Sequence, residues 1–190
     1  MTSDKEHMRI AFTGPHGSGK TTLLNIIKEY PEFKEYELVT GVTRRLNKEG
    51  LPINEQGTDA TQLAIIDAHE SYLLNPHIIA DRSVLDVYCY TQYLYNHGNL
   101  SLFTLEWVKN KYSSLLPKYD VLFYITPEFK IEDDGVRSTN QEFQDEVGRI
   151  FTQRVYEDHL YTRARPRFIK LTGTIEERVD IINKYFKDRL

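Results

Sequence analysis

Five short apolar runs bounded by polar or turn residues punctuate the chain: 8–13 (MRIAFT), 36–40 (YELVT), 77–80 (HIIA), 120–126 (DVLFYIT) and 167–171 (RFIKL). Each has the length of a strand. Between them, 20–30, 59–75, 83–97, 102–115, 139–162 and 174–189 carry apolar residues at helical spacing. Strands alternating with helices predict an α/β fold, a five-stranded parallel sheet covered by helices on both faces. Two helix starts carry capping signals: Thr174 with Glu177 three residues on, and Thr58 or Asp59 ahead of Ala60. The interval 127–138 (PEFKIEDDGVRS) breaks the periodicity with Pro127, an acidic pair and Gly135. It reads as a mobile lid loop, hanging over the crevice where an open α/β sheet gathers its ligands.

Composition narrows the picture. A chain of 190 residues fits one domain, and 40% hydrophobic with 27% charged residues is the balance of an ordinary globule. A net charge of -4 argues against a broad electrostatic footprint for duplex nucleic acid. The single cysteine, Cys89, excludes an intrachain disulfide. The N-terminal MTSDKEHMRI has no signal-peptide core, and no apolar run approaches the ~18 residues of a membrane span. A cytosolic protein with no membrane partner is expected.

The chemistry concentrates first in IAFTGPHGSGKTT, residues 10–22. Gly14 through Thr21 fits G-x-x-x-x-G-K-[ST] at every fixed position, after an expected strand and at the start of an expected helix. Glycines there let successive N–H groups turn inward as an anion nest, and the helix N-terminus adds partial positive charge. Gly14, His16, Gly17, Ser18, Gly19, Lys20, Thr21 and Thr22 are the candidate nucleotide-binding residues. Lys20 would bridge the outer phosphates and the Thr21 hydroxyl would ligate Mg²⁺, so ATP and Mg²⁺ are the expected cofactors. A guanine-reading Asn-Lys-x-Asp is missing, since NKEG at 47–50 lacks the Asp. The D-x-x-G at 145–148 lies inside a helical pattern. The six histidines show no zinc-ligand spacing.

The second constellation is HIIADRSVLDVYCY, residues 77–90. Asp81 and Arg82 follow an expected strand and would emerge at the C-terminal edge of the sheet, near the phosphates if that strand neighbours the first. A carboxylate there can hold Mg²⁺ or orient an acceptor, and the guanidinium can clamp phosphoryl oxygens. Asp86 lies one helical turn further on and is a candidate substrate-binding residue.

The Walker loop, the D-R-x-x-x-D-x-x-x-Y spacing of DRSVLDVYCY and the stretch DDGVRSTNQEFQDEVGRIF resemble the AAA_28 group of P-loop proteins, many of them phage-encoded. That group is similar to the ribosylnicotinamide kinase part of NadR proteins and, more distantly, to thymidylate and deoxynucleoside kinases. The resemblance spans about residues 8 to 182. It implies a single P-loop kinase domain over 1–190, with ATP·Mg²⁺ as donor, a small nucleoside or nucleotide as acceptor, and room for a homodimer. By this likeness Asp81 and Arg82 stand beside the reacting oxygen, and Asp81 joins Thr21 at the metal. Gln62 looks like a base-reading glutamine, although a glutamine on an amphipathic helix can equally face solvent. His69, seven residues on, shares its helical face and would line the same pocket.

One position departs from the family pattern. Where much of the group carries a Glu after the second strand, this chain has Gly41, while the basic pair Arg44 and Arg45 follows. The retained Arg44 resembles the arginine with which thymidylate-type kinases hold an acceptor phosphate, and so tilts the reading toward a monophosphate. Arg137, beside Gly135, has the composition of a lid arginine that meets the transferring phosphoryl group. Thr172 and Gly173 in LTGTIEERV resemble the adenine-side loop. The expected activity is transfer of the γ-phosphoryl of ATP to a nucleoside monophosphate or nucleoside. Two rivals remain: a kinase acting on a nucleic-acid strand, for which RARPR at 163–167 could touch a backbone, and a non-catalytic nucleotide switch or binding module.

Overall fold

Every expected strand forms, and all five join one sheet. The computed structural model describes residues 8–126, 140–161 and 166–187, so the expected lid at 127–138, with Arg137, lies outside the described residues. The strands are β1 (Arg9–Thr13), β2 (Glu37–Val39), β3 (Ile78–Ala80), β4 (Val121–Ile125) and β5 (Arg167–Leu171), in the order β2-β3-β1-β4-β5. All pairings are parallel, with Ala11 opposite both Ala80 and Leu122. The helices are α1 (Lys20–Ile27), α2 (Val42–Lys48), α3 (Asp59–Tyr72), α4 (Val84–Asn96), α5 (Leu102–Leu115), α6 (Gln141–Tyr161) and α7 (Ile175–Lys187). Among the described residues, no helix is long and apolar enough to cross a membrane.

The apolar runs are continuous rather than alternating because both faces of the sheet are covered. Ile10 and Phe12 of β1, with Val121, Phe123 and Ile125 of β4, pack against Leu23, Leu24 and Ile27 of α1 and Ile182 and Phe186 of α7. Ala11, Leu122, Tyr124, Ile78 and Ala80 turn the other way, into a larger core with α4, α5 and Phe143, Val147 and Phe151 of α6. Cys89 is buried in that second core, as a small hydrophobe. Both capping expectations hold. Glu177 N–H donates to Thr174 Oγ1 while Thr174 N–H donates to the Glu177 carboxylate, and Thr61 N–H donates to Thr58 Oγ1.

Helix α2 was not among the expected elements. Its seven residues bury only Val42 and Leu46, and it starts at Gly41, whose left-handed φ of 68° replaces a side-chain cap. Neither the periodicity nor the capping signal of a longer helix is present.

Candidate active site

Strand order decides where the two constellations meet. β3 pairs directly with β1, so the loop after β1 and the Asp81–Arg82 pair after β3 leave the sheet at the same edge. There Thr21 Oγ1 donates to Asp81 Oδ2 at 2.8 Å. The other carboxylate oxygen, Asp81 Oδ1, is buried with no hydrogen-bond partner.

The phosphate loop is shaped by close approach. Gly14 has φ 145°, and a Cβ there would collide with the carbonyl oxygen of Ile125 at the end of β4. Gly19, at φ 91°, turns the chain into α1 with no side-chain cap, which leaves the first-turn N–H groups facing the loop. Lys20 is buried, and its ammonium donates to Gly14 O at 2.6 Å and Pro15 O at 2.7 Å. A triphosphate would offer that ammonium charged acceptors in place of neutral carbonyls. Thr22 is exposed.

Four clamps from distant parts of the chain fix the loop, and sequence reading found none of them as a clamp. Asp86 accepts from Thr13 Oγ1 at 2.6 Å and from Gly14 N–H at 3.4 Å, while closing the capping box of α4 with Ser83. Its carboxylate is thus engaged on the loop's entry, with Arg82 at 4.0 Å, although it also lines a small recess with Gln62 and Tyr90. Tyr90 accepts from His16 N–H at 2.9 Å, and burial pushes its phenol up, so it stays protonated. Gln144 of α6 donates to His16 O at 2.7 Å. Arg178 of α7, fully buried, donates to Ser18 O at 2.8 Å. Arg178 sits in a run of charges that reads as a solvated helix face, so only its neighbouring apolar period hinted at burial.

From the loop a cleft of about 200 Å³ runs past Thr21, Asp81 and Arg82 to Gly41, Arg44 and His69. It adjoins a recess of about 30 Å³ that shares Thr43, Ile53, Asn54 and Arg82 with it and is lined further by Gln62 and Tyr90. The structure therefore brings Arg44, Gln62, His69 and Arg82 to one trough in front of the phosphate loop. Gln62 faces inward, only 3% exposed, and its amide meets Thr91 Oγ1 at 3.0 Å. His69 is also buried, with Nε2 unpartnered; burial, helped by the nearby Arg82 charge, lowers its pKa to about 4, so the ring is neutral at pH 7. Arg82 stacks over Tyr90, 5.3 Å from the ring centroid. Burial opposes its charge, but Tyr90, Asp86 and Asp81 outweigh that and raise its pKa. Arg44 is exposed at the cleft wall, whereas Arg45 turns away to Tyr72 and Glu49. Thr172, exposed, and Gly173, at φ 82°, follow β5 at the same sheet edge.

Thr21 Oγ1 and the unpartnered Asp81 Oδ1 suit a hard divalent cation. No trio of His, Cys, Asp or Glu able to hold a metal occurs among the described residues. An ion here would complete its shell with phosphate oxygens and water, as Mg²⁺ does beside nucleotides.

Comparison with curated protein sequences gives no match. Solved structures give many. Deoxyadenosine kinase from M. mycoides, with products bound, is similar at TM-score 0.68 and 16% identity, over 95% of this chain and 99% of that one. NadR in complex with NR is similar at TM-score 0.70 and 14% identity, over 95% of this chain but 52% of that one. Thymidylate kinase from Candida albicans is similar at TM-score 0.62 and 18% identity, over 96% and 92%. At such identities the likeness is one of fold, the α/β fold of P-loop kinases. The AAA_28 family model, described as an AAA domain, matches residues 9–178, from the first residue of β1 to the arginine that clamps the loop, and the chain belongs to that family.

Proposed function

We propose that this protein is an ATP-dependent phosphotransferase whose acceptor is a nucleoside monophosphate, with a nucleoside as the alternative acceptor. The observation that carries the reading is the Thr21–Asp81 hydrogen bond, which joins the phosphate loop to the strand end facing the acceptor cleft. In this reading the loop N–H groups and Lys20 hold the donor phosphates, with Thr172 and Gly173 on the adenine side. Thr21 and Asp81 hold Mg²⁺, which supplies charge neutralisation on the transferring group. Asp81 also orients the acceptor, and Arg82 lies where it can meet the phosphoryl oxygens. Two guanidinium groups, Arg44 and Arg82, line the cleft, more cationic charge than an uncharged nucleoside calls for. Gln62 and His69 offer neutral polar groups suited to a base or sugar, and Asp86 closes the floor. Gly41 brings no carboxylate to the cleft. A loose phosphoryl-transfer transition state depends more on positioning and charge than on a strong base, which leaves Asp81 sufficient.

The nucleic-acid reading is weaker. Arg167, the described arginine of the basic run, stacks on Tyr185 at the N-terminal end of β5, opposite the edge that carries the phosphate loop. A coupled ADP-release screen over nucleosides, monophosphates and short oligonucleotides tests the proposal. Release stimulated by monophosphates is the expected result. Stimulation by oligonucleotides alone favours the strand kinase, and ATP binding without stimulated release favours the switch.

A further inference from the structure

Behind the recess that Gln62 and Arg82 line, two groups compete for one proton. Thr91, fully buried on α4, places Oγ1 2.7 Å from Val87 O, one turn back on the same helix, and 3.0 Å from the amide of Gln62 on α3. A threonine hydroxyl has a single proton and cannot donate to both. The shorter contact is the i−4 back-bond of a helical threonine, so the proton belongs to Val87 O. Thr91 Oγ1 is left as an acceptor toward Gln62. The two ends of a primary amide have nearly the same shape, so hydrogen bonding alone sets their order. That order puts the NH₂ end on Thr91 and the carbonyl end away from it, where no described residue hydrogen-bonds it.

We propose that Thr91 is a positioning residue for acceptor choice: by fixing the order of the Gln62 amide, it makes the recess take a base edge that presents a donor, such as an exocyclic amino group, in preference to one that presents a carbonyl there. The proposal rests on reading this recess as the base subsite of the acceptor. An unrestrained amide turns over and matches either order, so it cannot separate an amino base from its oxo counterpart. An amide held at one end can, because the wrong edge then leaves buried polar groups unpaired.

The test uses four monophosphates paired by one group, adenine against hypoxanthine and cytosine against uracil, with the wild-type chain, Thr91→Val and Thr91→Ser. Wild type is expected to favour the amino member of a pair by about tenfold or more in kcat/KM. Thr91→Val, close in shape but without the hydroxyl, should bring that ratio to within about threefold of unity, and Thr91→Ser should restore it. The KM for ATP and the melting temperature are read alongside, and Thr91→Ala gives the same readout should the valine variant fail to fold. An unchanged ratio in the variants lacking the hydroxyl overturns the proposal, as does a wild-type preference for the oxo members or no preference. Transfer to none of the four overturns the acceptor reading itself and this proposal with it.

Discussion

Arg178 of α7 donates to the carbonyl oxygen of Ser18 at 2.8 Å, so the last helix holds the phosphate loop by its backbone across 160 residues of sequence. The same guanidinium lies 3.6 Å from where a Cβ would stand on Gly19, behind the turn into α1. The shape of the phosphate loop and the docking of α7 are therefore one packing problem. Leu23, Ile27, Ile182 and Phe186 join the two helices in the same core.

Arg178→Met should loosen the loop without unfolding the chain. A hydrogen bond from a charged group contributes about 1.5–3 kcal/mol, and the methionine fills most of the volume but leaves Ser18 O unpartnered. The expected result is a fall of about tenfold in affinity for a fluorescent ATP analogue, with a melting temperature several degrees lower. Undiminished affinity would show that the loop keeps its shape without the clamp.

The sheet was legible because strands buried on both faces must be apolar throughout, and Ile10, Ala11, Phe12 and Val121–Ile125 satisfy that without exception. The phosphate loop was legible because its spacing is local. Gln62 and His69 were legible as sharing one face, but their burial depends on α4 and Arg82, which no local pattern reports. The clamps were not legible for the same reason. Gln144 reaches His16 over 128 residues, and Tyr90 reaches it over 74. Helix α2 escaped because a left-handed glycine and two apolar residues in seven carry too little periodic signal.

Lys20→Ala and Asp81→Asn separate donor from acceptor functions. Removing the lysine should abolish transfer with the fold intact, since the nest is made of backbone and the phosphates need the charge. Asp81→Asn should reduce turnover by about 100-fold or more, while binding of the fluorescent ATP analogue changes little. Full activity in a well-folded Lys20→Ala variant would remove the donor assignment, and surviving turnover in Asp81→Asn would remove the acceptor one.

His69 makes stability depend on pH. Its pKa is lowered from 6.5 to about 4 by burial, with the Arg82 charge beside it and Asp81 on the same cleft. Between those values the unfolded chain binds a proton that the folded chain refuses, so stability rises with pH. The contribution is fully present above about pH 6.5 and declines as pH falls toward 4; by pH 5 the loss is roughly 2 kcal/mol. Urea midpoints measured from pH 7.5 to 5 should fall more steeply for wild type than for His69→Asn. Parallel slopes would mean that the ring takes up its proton in the folded state.

Two glycines beside the cleft should respond to alanine in opposite ways. Gly57 has φ −55° and ψ 141°, which any residue adopts, but a Cβ there would stand 2.8 Å from Leu94 Cδ1 and 3.0 Å from the end of the Gln62 amide that points away from Thr91. Gly57→Ala should therefore push the Gln62 amide and raise the acceptor KM by about tenfold, with the KM for ATP unchanged. Gly41 presents the reverse case: its φ of 68° disfavours a side chain, yet a Cβ would meet nothing within 4 Å. Gly41→Ala should cost about 1 kcal/mol of stability through backbone strain and leave the acceptor KM within about threefold of wild type. Steady-state kinetics with the best acceptor, run beside urea unfolding, read both effects. A Gly57→Ala enzyme with a wild-type acceptor KM would place the base away from Gln62, since the one substitution that crowds that amide would then leave recognition untouched.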